Sequence, residues 1–225
     1  MNLPELLQKH QDSFFPLLGI DLKAIDFCSI NLSIYSPTLD LEAVQTYEGL
    51  NEFIQSNLKS NNARVGVGGY LEKRALYRPS TNFKNEANER DIHLGLDFWS
   101  NALTTIYAPL DGIVHSFKYN DAHLDYGATI ILQHKLDGLV FYTLYGHLTL
   151  ASLNNLKKGI LIKKGTPFTA MGEPHENGGW VPHLHFQIIK DMMGKEGDFP
   201  GVASEKEIEF YSKNSPNPNW MTRFV

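Results

Sequence analysis

Hydrophobic positions along the chain change period near residue 62. Before it the spacing is mostly helical. Leu3, Leu6 and Leu7 suggest a short helix that Pro16 and Gly19 bring to an end. Ala24 to Tyr35 is rich in Ile, Phe and Leu and fits a strand. From Leu41 to Leu58, apolar residues fall at 41, 44, 47, 50, 54 and 58, the spacing of an amphipathic helix. Asp40 is the expected N-cap, and Ser60, Asn61 and Asn62 stop the helix. Residues 1–62 therefore read as an N-terminal α+β annex without visible chemistry.

From residue 63 the period drops to two. Short apolar runs alternate with turn signals about every ten residues, as in antiparallel sheets and sandwiches. Asp111-Gly112 and Asp137-Gly138 read as hairpin turns, the second between Ala128–His134 and Leu139–Leu148. Two Lys-Lys-Gly triplets, at 157–159 and 163–165, bracket a short strand at 160–162. Asn82 to Arg90 is polar and reads as a loop. The prediction is a mainly β chain, with residues 63–225 forming an antiparallel β-sandwich domain.

Composition narrows the class of function. The chain has 225 residues, 42% hydrophobic and 20% charged, which is ordinary globular composition. Its net charge of −5 gives no broad attraction to nucleic acid or to an anionic membrane surface. No apolar run approaches the ~18 residues of a membrane span, and Met1 to Gly19 lacks the pattern of a secretory signal. The single cysteine, Cys28, excludes an internal disulfide and reads as a small buried hydrophobe. A soluble protein working in the cytoplasm is the expectation.

Nine histidines remain, and three contexts stand out. In His93-Leu94-Gly95-Leu96-Asp97-Phe98, strand alternation puts His93 and Asp97 on one face, with Gly95 leaving room between them for a bound atom. In Pro182-His183-Leu184-His185-Phe186-Gln187-Ile188, the histidines and Gln187 face away from Leu184, Phe186 and Ile188. Imidazoles two positions apart lie about 6–7 Å apart on a strand face, which suits one metal ion. His147 ends a third strand and shares a face with Thr143 and Tyr145.

Imidazole and carboxylate are ligands that zinc accepts. His93, Asp97, His183 and His185 could close a structural shell. Alternatively, three of them with water would make a catalytic site, freeing the spare His and His147 for proton transfer and transition-state stabilisation.

These motifs resemble the lysostaphin-type M23 zinc metallopeptidases, the LytM-like domain. HLGLD at 93–97, His147 in LYGHL and HLH at 183–185 match its signature, with APLDGIVHS at 108–116 and KKGTPFTAMG at 163–172 between them. The resemblance spans about residues 90–190. It implies a β-sandwich of the duplicated hybrid motif type and one zinc ion per chain, bound by His93, Asp97 and His185. It also implies that His183 is the catalytic base, that His147 stabilises the transition state, and that the substrate is a peptide or derived from peptidoglycan. The flanks, including GGYLEKRALY at 68–77 and SPNPNW at 215–220, resemble the M23-type module fused elsewhere to aminoglycoside-phosphotransferase-like and class III aminotransferase domains.

Other features carry weaker expectations. Asn177 and Trp180 could rim a substrate groove, and Tyr145 could touch substrate. Tyr70, Glu72, Arg74 and Tyr77 read as a solvated polar strand, with a specificity wall as the alternative. Asp191 to Val202 reads as an ordered loop beside the site. His10, His115, His123, His134 and His175 are left outside it. Three competing functions are a histidine phosphocarrier of related topology, a cupin and a metal-loaded module that binds a peptide or glycan without cutting it. The phosphocarrier has no need of Asp97, and the cupin needs a Glu that the run after His185 lacks.

Overall fold

The computed structural model describes residues 1–19, 27–77, 84–85 and 88–222. The start of the strand expected from Ala24 lies outside the described residues, as do 82–83 and 86–87 of the expected loop. The helices are α1 (Leu3–Lys9), α2 (Tyr47–Ser60), α3 (Ile208–Asn214) and α4 (Asn219–Thr222). The first strands are β1 (Phe27–Ser29), β2 (Val65–Gly68), β3 (Lys84–Asn85), β4 (Asn88–Glu89), β5 (Ile92–His93), β6 (Leu96–Trp99) and β7 (Thr105–Tyr107). They are followed by β8 (Gly112–Asn120), β9 (Gly127–Leu136), β10 (Leu139–Leu148), β11 (Leu161–Ile162), β12 (Pro167–Ala170), β13 (His183–Ile189) and β14 (Val202–Ala203). The architecture is mainly β, with 32% strand and 21% helix.

One eight-stranded sheet dominates, in the order β1-β2-β6-β13-β10-β9-β8-β11. Its pairings are antiparallel except β1 with β2, and β13 sits near its middle, between β6 and β10. Leu184, Phe186 and Ile188 of β13 enter the main core with Phe98, Ile130, Tyr145 and Leu148, as the period-two pattern predicts.

Several local expectations change. α1 begins on a capping box between Asn2 and Glu5. α2 begins at Tyr47, capped by Thr46, whose hydroxyl accepts from Gly49 N–H at 3.1 Å. Asp40 instead accepts from Glu42 and Ala43 N–H, ordering a 3₁₀ turn at Ala43–Gln45. Val44, Leu50 and Ile54 still share one core cluster, with Leu41 packed against it, so the apolar spacing runs across a backbone break. Asp137-Gly138 closes the β9–β10 hairpin with φ of 45° and 89°, the positive angles that a tight primed turn requires. Asp111-Gly112 is no hairpin turn, because β7 pairs with β12 while β8 pairs with β9.

The N-terminal segment is built into the sheet. β1 extends it through parallel pairing with β2. Cys28, Ile30, Leu32, Leu39, Leu50 and Ile54 form one core with Trp99, Trp180, Val181 and Val202. At about 1.5–3 kcal/mol per fully buried aliphatic side chain, this interface is a substantial part of what holds the site wall. No helix among the described residues is long and apolar enough to cross a membrane.

Candidate metal centre

The site is assembled where β6, β13 and β10 run side by side. His185 on β13 is directly opposite Asp97 on β6 and Gly146 on β10. His183, two residues earlier on the same face, is opposite Trp99 and stacks on its indole, with centroids 5.8 Å apart. His93 arrives from a different strand. The run predicted as one strand breaks at Leu94-Gly95: β5 pairs with β14, and β6 pairs with β13 and β2. The space above Gly95 holds the His185 ring, not an open ligand position. A Cβ there would lie 2.6 Å from His185 Cε1.

His147 also departs from simple alternation. Strand pairing shifts register between Tyr145 and Leu148, and His147 has φ of 62°. This bulge turns His147 towards His183, with ring centroids 4.2 Å apart. Tyr145 goes the other way. It is fully buried between Phe168 and Phe186, and its hydroxyl accepts from Thr143. The expected common face of Thr143, Tyr145 and His147 is therefore split, and Tyr145 is a core residue that does not reach the cleft.

His93, Asp97 and His185 each offer one ligand atom, all within 4.8 Å of one another. His93 Nε2 lies 2.9 Å from His185 Nδ1. Asp97 Oδ1 lies 3.2 Å from each of those nitrogens. The opposite edge of each ring fixes its proton. His93 Nδ1 faces the Gly69 carbonyl at 3.0 Å, and a carbonyl can only accept. His185 Nε2 faces Gln187 Oε1 at 3.0 Å, and the Gln187 amide nitrogen is committed to Pro200 O and Ser215 Oγ. With those protons in place, the inner nitrogens, His93 Nε2 and His185 Nδ1, turn towards the Asp97 carboxylate. Burial, with the nearby Arg74 charge, pushes the His93 pKa down to about 4. Burial opposes ionisation of Asp97, but the adjoining His93 and Arg74 hold its carboxyl well below the usual range. Three ligand atoms converge, which is the donor set a divalent cation satisfies.

His147 and His183 are held in the same way. His147 Nδ1 donates to Asn177 O at 2.8 Å, and His183 Nδ1 donates to Val181 O at 2.7 Å. Each leaves a bare Nε2, and that of His183 is 3.9 Å from Asp97 Oδ1. Burial lowers both pKa values, that of His147 to well below the ordinary histidine value.

A cleft of about 240 Å³ opens onto this group, walled by Tyr126, Trp180 and Phe199 beside His93, His147 and His185. Trp180 meets His147 edge-on at 6.1 Å and donates from Nε1 to Asp125 O. Asn177 is not a rim residue. It is fully buried and ties its loop together through Gly172 O, Trp180 O and the N–H groups of Gly179 and Trp180. The segment 191–202 does flank the cleft, where Phe199, Pro200 and Gly201 line it. Arg74 is the largest error of sequence reading: the expected solvated side chain is 2% exposed and bonds Asp97. Tyr126 was missed as well, and no local pattern marks it. Gln187 was readable, since it follows the two histidines in the same period.

Two buried histidines and one buried carboxylate, flanked by two further buried histidines, form a group that could hold a metal ion. Residues 91–198, just under half of the chain, match the model of Peptidase family M23, so that stretch is a peptidase M23 domain. Among solved structures, the catalytic domain of the antimicrobial peptidase lysostaphin from Staphylococcus simulans is 23% identical, with TM-score 0.38, over 54% of this chain and 80% of that one. A zinc containing peptidase from Vibrio cholerae is 28% identical, with TM-score 0.35, over 47% of this chain and 29% of that one. LytU is 23% identical, with TM-score 0.40, over 66% of this chain and 90% of that one. No curated protein matches the chain.

Proposed function

We propose that this protein is a zinc-dependent peptidase. It would cleave a peptide bond in a peptide or peptidoglycan-derived substrate, with one zinc ion held by His93, Asp97 and His185. The observation that carries this reading is the convergence of three ligand atoms 2.9–3.2 Å apart, each on a side chain oriented by a second hydrogen bond. Zinc bound there would supply a Lewis acid that acidifies water and polarises a carbonyl.

The chain's own groups supply the proton chemistry. His183 Nε2 is bare and acts as general base, its ring fixed by Val181 O and Trp99. His147 has its Nδ1 proton committed to Asn177, so it can donate to a developing oxyanion only from Nε2, once that atom is protonated. With ring centroids 4.2 Å apart, the pair thus puts a proton acceptor, His183, near the attacking water and, once its Nε2 has taken up a proton, a donor, His147, near the carbonyl oxygen. Trp180 lines the cleft beside these histidines and would help keep water out of it.

Two substitutions test the assignment. His185→Ala should lose zinc. His183→Ala should keep zinc and lose about 10²–10⁴-fold in hydrolysis, the range of a general base. Equal loss of metal in both would mean a closed four-ligand shell and would overturn the reading.

A further inference from the structure

We propose that Arg74 is a positioning residue that holds Asp97 as a one-oxygen ligand, and that Glu72, anchored to the N-terminal segment, holds Arg74. This rests on the zinc reading above. Arg74 Nη1 donates to Asp97 Oδ2 at 2.6 Å. Only Oδ1 is left to face His93 Nε2 and His185 Nδ1. Arg74 Nε donates to Glu72 Oε2 at 2.6 Å, and Glu72 Oε1 accepts the Leu32 N–H at 2.9 Å. Arg74 Nη1 also reaches the Tyr77 hydroxyl at 3.2 Å, and the guanidinium lies over Trp99, 5.9 Å from the ring centroid.

The chemistry follows from the fork. A carboxylate with one oxygen engaged by a buried guanidinium cannot swing that oxygen round to chelate a cation. Arg74 uses two edges of its plane, Nε towards Glu72 and Nη1 towards Asp97. A lysine could supply the charge but not both directions. The same segment holds the second ligand, because Gly69 O accepts from His93 Nδ1. Residues 69–77 thus fix two of the three ligands from outside the region that matches the family model.

The test uses the full chain. Zinc affinity is measured by competition with a chromophoric chelator, and the cobalt-substituted protein gives a d–d spectrum that reports coordination number. Arg74→Gln should weaken zinc about 10–100-fold, as loss of an outer-shell partner does elsewhere, and should lower and shift the cobalt band as Asp97 Oδ2 joins the metal. Arg74→Lys should fall between it and wild type. Glu72→Gln should move the spectrum in the same direction by less. A merely structural Arg74 would change melting temperature and leave the cobalt band alone. Unchanged zinc affinity and an unchanged spectrum in folded Arg74→Gln would overturn the proposal. If that variant does not fold, an unchanged spectrum in Glu72→Gln overturns it. A wild-type chain that takes up no metal would sink both this proposal and the zinc reading, whereas a metal-loaded wild type with silent variants sinks only this one.

Discussion

The imidazole of His185 rests on the backbone of Gly95. A Cβ at that position would meet His185 Cε1 at 2.6 Å, Nε2 at 2.7 Å and the Phe186 carbonyl oxygen at 2.8 Å. One of those contacts is backbone, so the strain has no easy outlet. Gly95→Ala should push His185 away from His93 and Asp97, weakening zinc at least about tenfold in a chelator titration, with an overpacking cost of about 1–3 kcal/mol. Normal zinc binding by the alanine variant would show that the ring can slide without cost.

Asn177 acts through His147. Removing its side chain leaves the carbonyl that accepts from His147 in a loop deprived of its ties to Gly172, Gly179 and Trp180. Asn177→Ala should lower kcat about 10–100-fold and leave zinc stoichiometry at the wild-type value, since a slight misplacement of a reacting group carries such a cost. Co-loss of metal would instead mark a collapse of the whole site.

Tyr145 should be silent in catalysis. Its hydroxyl is buried with Thr143 on the core side of β10. Tyr145→Phe should cost about 0.5–1.5 kcal/mol in denaturant unfolding and leave kcat/KM unchanged. A fall in kcat/KM without a change in stability would bring Tyr145 back to the cleft.

His134 should make stability pH-dependent at a distance from the proposed metal site. It is 1% exposed, with Nδ1 on the Asp111 carbonyl and Nε2 on Thr143, and burial lowers its pKa to about 4 from 6.5. Between those values the unfolded chain binds a proton that the folded chain refuses, so stability falls as pH drops from 6.5 towards 4. The full effect is about 3 kcal/mol at the acid end. His134→Gln should flatten this part of the stability curve measured by urea unfolding at stepped pH, and an unaltered slope would assign the dependence to other groups.

What could be read in the sequence was set by how local the determinant is. The period-two run at 183–189 needs only strand geometry, so the facing of His183, His185 and Gln187 came directly from the pattern. His93 and Asp97 were correctly paired for a partly wrong reason. The alternation suggested one strand, whereas a break at Gly95 brings them together. His147 was misfaced because a bulge is a pairing event between strands and has no single-strand period. Arg74 was misread because an arginine among polar neighbours is ordinarily solvated, and its burial depends on Asp97, Glu72 and Trp99 arriving from elsewhere. Asp40 was a sound capping residue attached to the wrong turn.

The parallel strand β1 and the Leu32–Glu72 contact bear on where the working unit begins. The region that matches the family model starts at residue 91, yet the groups that brace His93 and Asp97 stand at 69, 72 and 74, themselves steadied by residue 32. A fragment excised at the family boundary would keep all three proposed ligands and both flanking histidines and would still lose the scaffold that aims two of them. In this protein the inherited module and the physical machine have different edges.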